Sequence, residues 1–412
     1  MTKLSPTIGI VVVGYNRTAS ILRLLHRLDA CDYPSAPVPL VVSLDNCGKP
    51  DVYDAASAFH WPRGPYQVIM QPERLGCKKH VLRCGGYMEQ FGWDAAIVLE
   101  DDVYPSAAFY RYAQQAVARY QDDDRIAGIS LYSMPQNQTV RLPFTPVLSE
   151  YDAYFMQLAQ SCGQVWMKRQ WRAFRDWFAE NDGPFPNRPG IPANVTRWPE
   201  SSWLKHHIRY CIEENKYFVY PYESLTTNFS DVGQHTGIAS NTLQVRLQQQ
   251  AKQAYSFPAL DGAPVVYDAW HENRRLAEVL GLAPETLSVD IFGGKGNPEG
   301  KRYWLTTVPK PYQVLRSFAL SLFPMDMNVL CGLEGKQIFL YDTAISVQAP
   351  PPRDWELQMW GYYNRILYPD DMIWKLSKPI GRRIRRNRWK RLTHPFKFMN
   401  MLRNRLRKSN RR

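Results

Sequence analysis

A chain of 412 residues, 45% hydrophobic and 22% charged, is globular rather than disordered and long enough for two or three domains around one substantial core. Its net charge of +13 belongs to a tail: fourteen of the 51 Lys and Arg residues fall in residues 381–412 with no acid among them, leaving 37 basic residues to face 38 acids. The body is therefore near neutral, which argues against a nucleic-acid-binding body and makes nucleic acid an unlikely partner.

Residues 7–13 read as a first apolar strand, followed by the loop Gly14-Tyr15-Asn16-Arg17. A helix is predicted from Thr18, a fitting N-cap, to about Ala30, because Ile21, Leu24, Leu25 and Leu28 recur at helical spacing. A second strand over 39–44 ends in Asp45-Asn46, a short helix covers 51–59 and a third strand 66–70. The next helix lies within 73–90, entered through Leu75-Gly76-Cys77-Lys78-Lys79-His80. Then comes the run Ala95-Ala96-Ile97-Val98-Leu99, which ends abruptly in Glu100-Asp101-Asp102. Strand and helix alternate four times in about a hundred residues, the pattern of a doubly wound parallel sheet.

Farther on, 107–120 and 171–180 read as helices and 126–131 as a strand. Residues 151–167 read as strand, turn and strand around Ser161-Cys162-Gly163, and 181–199, rich in Pro, Asn and Gly, as a loop over a site. A helix over 201–214 and a strand over 217–221 lead to the polar segment 226–235. From residue 241 the texture changes to a Gln-rich helix, then a mixed segment with Gly293-Gly294 and strands near 303–308 and 337–341. Pro350-Pro351-Pro352 marks a boundary. The expected division is 1–240, an appended α/β region at 241–350, and an aromatic and basic tail at 351–412.

No run of eighteen apolar residues and no charged-apolar-cleavage pattern occurs, so neither a spanning helix nor a signal peptide is expected. The seven scattered cysteines, with no Cys-x-x-Cys pair, suggest a reducing compartment and no structural zinc. Three Asn-x-Ser/Thr triplets, at Asn137, Asn194 and Asn228, are incidental without a secretory signal.

Polar groups mark three successive strand ends: Asn16-Arg17, Asp45 and Glu100-Asp101-Asp102. Ligands of open α/β sheets sit outside the carboxyl ends of the strands, and this set suits a nucleotide. A carboxylate can accept from base or ribose, a cation such as Arg17 or Lys79 can meet phosphate, and the last acids can hold a metal against a diphosphate. A solvated acidic loop is the plainer alternative. Gly-x-Gly-x-x-Gly and Gly-Lys-Ser/Thr loops are both missing, so dinucleotide and P-loop readings lack their required feature.

Ile10-Val11-Val12-Val13-Gly14-Tyr15-Asn16-Arg17, Ser43-Leu44-Asp45, Gln71-Pro72 and above all Val98-Leu99-Glu100-Asp101-Asp102-Val103-Tyr104-Pro105 resemble GT-A-fold glycosyltransferases, closest to the N-acetylglucosaminyltransferase I group and also like family 2-type bacterial enzymes. The resemblance covers residues 7–235. It implies a Rossmann-like, mostly parallel sheet flanked by helices, and a metal-dependent inverting transfer from a nucleotide sugar, UDP-linked by preference. By position, Asp102 would coordinate Mn²⁺ or Mg²⁺, Asp101 would face ribose or sugar, and Glu100 would support the site. Asp45 would contact base or ribose, with Arg17 and His80 nearby. Glu200, in Trp198-Pro199-Glu200, is the loose match to the catalytic base, its other reading being a helix N-terminal acid. His235 would touch metal or diphosphate. Tyr151, Tyr154, Trp166, Trp171 and Trp198 could stack on sugars or fill the core.

The tail mixes bases with Trp389, Phe396 and Phe398, a texture suited to an anionic membrane surface ahead of a solvated end or RNA. A cytoplasmic enzyme peripheral to the inner face of the membrane, acting on glycan or lipid-linked acceptors in polysaccharide or glycolipid synthesis, is the resulting expectation. A nucleotidyltransferase and a non-enzymatic membrane- or nucleic-acid-binding protein on a similar fold are the alternatives.

Overall fold

The computed structural model describes residues 6–34, 36–186, 190–229, 231–232, 242–349 and 354–365. In chain order the first part runs β1 (Ile8–Gly14), α1 (Thr18–Asp29), β2 (Leu40–Leu44), α2 (Asp51–Ser57), β3 (Tyr66–Met70), α3 (Gly76–Cys84), α4 (Tyr87–Gln90), β4 (Ala95–Glu100), β5 (Val103–Pro105), α5 (Phe109–Tyr120) and β6 (Ile126–Ser130). It continues through β7 (Gln136–Asn137), β8 (Leu142–Pro143), β9 (Ala153–Met156), β10 (Gln164–Met167), α6 (Lys168–Asn181), α7 (Ala193–Thr196), α8 (Leu204–Glu213), β11 (Tyr217–Pro221), β12 (Thr226–Asn228) and β13 (Val266–Tyr267). The last part holds α9 (Leu276–Val279), β14 (Leu287–Asp290), β15 (Tyr303–Thr306), β16 (Tyr312–Phe318), α10 (Asp326–Leu330), β17 (Ile338–Ser346) and α11 (Trp355–Asn364).

Every residue of β1, β2 and β6 is buried, the signature of strands covered on both faces. Side chains alternate along β1: Ile8, Ile10 and Val12 join the core that holds Leu24, Leu25 and Leu28 of α1, while Val11 and Val13 join the opposite core with Trp166 and Trp171. The main sheet runs β13-β9-β11-β6-β10-β4-β1-β2-β3. The four strands β3, β2, β1 and β4 are mutually parallel, and β10 is inserted antiparallel between β4 and β6. A mostly parallel sheet flanked by helices is thus the architecture that the sequence resemblance implied.

The strand, turn and strand expected over 151–167 are present as β9 and β10, which pair with different neighbours: β9 with β11 and β13, β10 with β4 and β6. One local expectation is corrected. The Gln-rich stretch after 241 is not a helix: Gln248 N donates to Ser224 O at 2.9 Å and Val245 N to Thr227 Oγ1 at 2.9 Å, laying it as an irregular strip beside the lead into β12. It offers no apolar stripe to bury as a helix, so hydrogen bonds to a neighbouring segment prevail over propensity. Farther along, β13 adds an edge to the main sheet, and β14-β15-β17-β16 form a second sheet within 287–346.

Candidate functional site at the strand ends

Strand register brings the polar ends together. Val13 and Gly14 of β1 pair with Glu100 of β4 and Leu44 of β2, and the chains continue as Asp101 N donating to Val13 O at 3.1 Å and Asp45 N to Gly14 O at 2.9 Å. These ends wall a cavity of about 350 Å³ lined by Tyr15, Arg17, Asp45, Arg74, Glu100 and Asp101, among others. That size is within the range of small-molecule sites, and the position is the one expected of a ligand on an open α/β sheet.

Arg17 organises the acids. Its Nε donates to Asp101 Oδ2 at 3.1 Å, and its Nη2 is shared between Asp101 and Asp102, 3.2 Å from the latter. Burial disfavours the guanidinium charge, but the two carboxylates outweigh it and raise the pKa. Its Nη1 is buried without a hydrogen-bond partner among the described residues. Asp101 titrates up at about 6, because burial exceeds the help of Arg17. Glu100 is raised as well, by burial and by repulsion from Asp102 and Asp101. The three carboxylates thus crowd one another around the Arg17 guanidinium, and their mutual repulsion favours a proton on Glu100.

No group of three or more His, Cys, Asp or Glu side chains is placed to hold a metal among the described residues. The oxygen-only donors nevertheless fit a hard divalent cation, and the repulsion among them is what such an ion would relieve. Asp102, 22% exposed at its side chain against 6% for Asp101, is the more accessible of the two. His235 lies outside the described residues, as does the basic tail from 366 onward.

Asp45 lines the cavity, but its carboxylate is engaged by the backbone: Asn46 N at 3.0 Å, Leu75 N at 2.7 Å and Gly76 N at 2.9 Å. It fixes the turn into α3, where Gly76 has φ +74. His80 is not among the cavity's lining residues. It is 3% exposed, with Nε2 2.8 Å from Ser43 Oγ in a network that includes Tyr87 and Gln71. Burial pushes its pKa down to about 4, despite the Asp45 charge.

Glu200 is also absent from this cavity. It is 71% exposed and receives a 2.6 Å hydrogen bond from Lys205, whose side chain is fully buried, 4.5 Å from the Phe185 ring centroid and bonded to Trp198 O at 3.1 Å. That hydrogen bond lowers the Glu200 pKa, which weakens it as a base. Trp166 and Trp171 stack at 3.8 Å inside the core, and Tyr154 is fully buried, so none of these meets a ligand. Tyr151 and Trp198 are partly exposed. His206 and His207 are buried among aromatics, His207 stacked 4.1 Å from Phe174.

Sequence reasoning missed Arg74, whose guanidinium sits 5.2 Å from the Tyr15 ring, and the clamp of Asp231 on α1. Ser20 Oγ donates to Asp231 Oδ2 at 2.7 Å, Arg23 pairs with the same carboxylate, and Phe229 N bonds Asp102 O at 2.7 Å. The polar character of 226–235 was the only available signal, since spacing cannot say which distant helix a loop will meet.

No family model matches the chain, and no curated relative does either. Among solved structures it is similar to S. aureus TarS 1-349, at 14% identity and TM-score 0.36, covering 54% of this chain and 60% of that one. It is also similar to mannosyltransferase PcManGT from Pyrobaculum calidifontis, solved with GDP-Man and Mn²⁺, at 15% identity and TM-score 0.30, covering 46% and 50%. GalNAc-T7, solved with UDP, GalNAc and Mn²⁺, matches at 15% identity and TM-score 0.36, covering 53% and 43%. The chain thus spans no more than 60% of these structures, and likenesses this low transfer no residue role to it.

Proposed function

We propose that this protein is a glycosyltransferase that moves a sugar from a nucleotide-sugar donor, UDP-linked by preference, to a hydroxyl of a glycan or lipid-linked acceptor. The observation that carries the reading is the convergence of Arg17, Arg74, Asp45, Glu100 and Asp101 on one cavity at the carboxyl ends of parallel strands. Arg17 and Arg74 bring guanidinium charge to the cavity wall, the group suited to a phosphate. The family likeness of the Val98–Asp102 segment points the same way.

In this reading Arg17 holds the diphosphate and keeps Asp101 and Asp102 in place. Asp102 would hold Mn²⁺ or Mg²⁺, with His235 as a further candidate ligand, and such an ion would supply positive charge against the leaving diphosphate. The acceptor oxygen attacks the anomeric carbon in line, its bond to the diphosphate oxygen breaks, and the acceptor proton passes to a base, so the anomeric configuration inverts. Glu200, tied to Lys205, is a poor candidate for that base.

Calorimetric titration of UDP, GDP and CMP with and without Mn²⁺ tests the proposal. UDP should bind at least tenfold more tightly with the metal. Nucleotide affinities indifferent to Mn²⁺, or equal metal-dependent donor hydrolysis by wild type and Asp102→Ala, would remove it.

A further inference from the structure

The second sheet leaves apolar side chains uncovered at one end. Strands β16 and β17 pair antiparallel from Tyr312 with Ser346 to Phe318 with Ile338, and beyond that last pair the chain passes through a loop, α10 and the return 331–337. At this end Leu322 and Phe323 are each 39% exposed and Leu333 37%. Isolated apolar side chains are ordinary on a soluble surface. These are gathered by their backbones around one residue: Leu322 N donates to Asn328 Oδ1 at 2.8 Å, Leu333 N to Asn328 O at 2.9 Å, and Ala319 N to Leu333 O at 2.8 Å. The Phe323 ring is backed by Tyr362 and Tyr363 of α11, with centroids 6.1 and 6.3 Å away.

The backbone beneath these side chains is already satisfied from within. Asn328, fully buried, also accepts from Ser321 N at 2.7 Å, and its Nδ2 donates to Leu322 O at 3.0 Å and Met325 O at 2.9 Å. The Tyr362 hydroxyl donates to Leu322 O at 2.7 Å, while Arg365 donates Nη1 to Leu320 O at 3.0 Å and Nη2 to Ser321 O at 2.7 Å. An exposed loop ordinarily gives up hydrogen bonds to water when it enters an apolar medium, and each one lost is costly. The carbonyls of Leu320, Ser321 and Leu322 are spared that loss. Arg365 also closes this described part of the chain, so the rest leaves from the loop itself. Fifteen residues farther on begins the run 381–412, with fourteen Lys and Arg and no acid. Arg316, its guanidinium 5.2 Å from the Phe318 ring, and Lys336 are exposed near the loop, as is the acid Glu334, which bridges to Phe318. A partner that suits both features offers apolar depth under a negatively charged surface, which is the chemistry of an anionic lipid layer.

We propose that the loop 320–324, with Leu333 beside it, is the part of the body that enters an anionic lipid surface, Leu322 and Phe323 forming its apolar tip. The basic end draws the protein to the surface and the loop holds it there, since stable peripheral attachment takes two signals. This contact is independent of the glycosyltransferase reading. The test is cosedimentation of the full chain with vesicles of equal parts phosphatidylcholine and phosphatidylserine, with the melting temperature followed in parallel. Leu322→Ser combined with Phe323→Ser should lower the partition coefficient at least tenfold and leave the melting temperature unchanged. Leu322→Lys should lower it as well, although it adds a positive charge; a rise means electrostatic contact without insertion and overturns the proposal. Ile345→Ser combined with Val347→Ser alters side chains more exposed than these, at the opposite end of the β16–β17 ribbon, and should stay within twofold of wild type. Three further results overturn the proposal: a loss in that control as large as in the loop, partitioning of the loop variant within twofold of wild type, or a wild type that does not bind these vesicles. Should the double loop variant fail to fold, Leu333→Lys carries an expected fall of at least threefold, and unchanged partitioning there is equally fatal.

Discussion

Arg17 concentrates the chemistry of the first cavity in one side chain, and its removal has two separable effects. Arg17→Met leaves Asp101 buried beside Glu100 without its counter-ion, which should lower unfolding free energy by about 2–4 kcal/mol in urea titration. UDP affinity should fall at least tenfold. The Asp101 carboxyl gives a pH signature of defined sign. With a folded pKa of about 6 against ~3.9 unfolded, the folded state keeps its proton in a window where the unfolded chain has lost it. Stability from this group is complete below about pH 4 and is lost as pH rises to about 6, by at most about 3 kcal/mol. The difference between wild type and Asp101→Asn across that window measures it, and a pH-independent difference would contradict the assignment. Glu200 poses a choice between base and counter-ion. Loss of a general base costs roughly 10²–10⁴ in rate. Glu200→Gln should instead keep transfer within tenfold and lower the melting temperature, because it strips a buried Lys205 of its charge partner. At this scale the sequence exposed Arg17 and the three acids as neighbours of strand ends, but it could not show that the backbone engages Asp45 or that His80 packs inward.

Elements matter here through how closely they approach. Gly9 lies in β1, where an added Cβ would come within 2.2 Å of the Trp93 ring, itself 4% exposed. Gly9→Ala should therefore cost about 1–3 kcal/mol by overpacking, read as a lower urea midpoint with unchanged slope. The strands β1, β2 and β4 were legible because double-sided burial demands unbroken apolar runs, and those runs survive any permutation of neighbours. The insertion of β10 between β4 and β6 was not, since pairing across long loops leaves no periodic trace. The Gln-rich strip failed as a helix for a related reason: its partners at Ser224 and Thr227 are distant in composition and pattern alike.

The whole molecule divides its charge between a near-neutral body and a basic end. No described helix is long and apolar enough to cross a membrane. The proposal for the tail is attachment to anionic lipid through Lys and Arg, at ~1 kcal/mol per basic residue near the surface. Deleting 381–412 should abolish cosedimentation with phosphatidylserine vesicles at low salt and leave UDP affinity unchanged. Binding that persists after the deletion would move the contact to the body.

The sequence by itself determined the alternating architecture, the acid-tipped strand and the basic end, because apolar periodicity and charge runs are local properties of the chain. Tertiary structure decided the rest. Strand register, set by hydrogen bonds between segments far apart in the chain, brought Arg17 and Asp101 to one strand-end cavity, and tertiary packing kept Glu200 out of it.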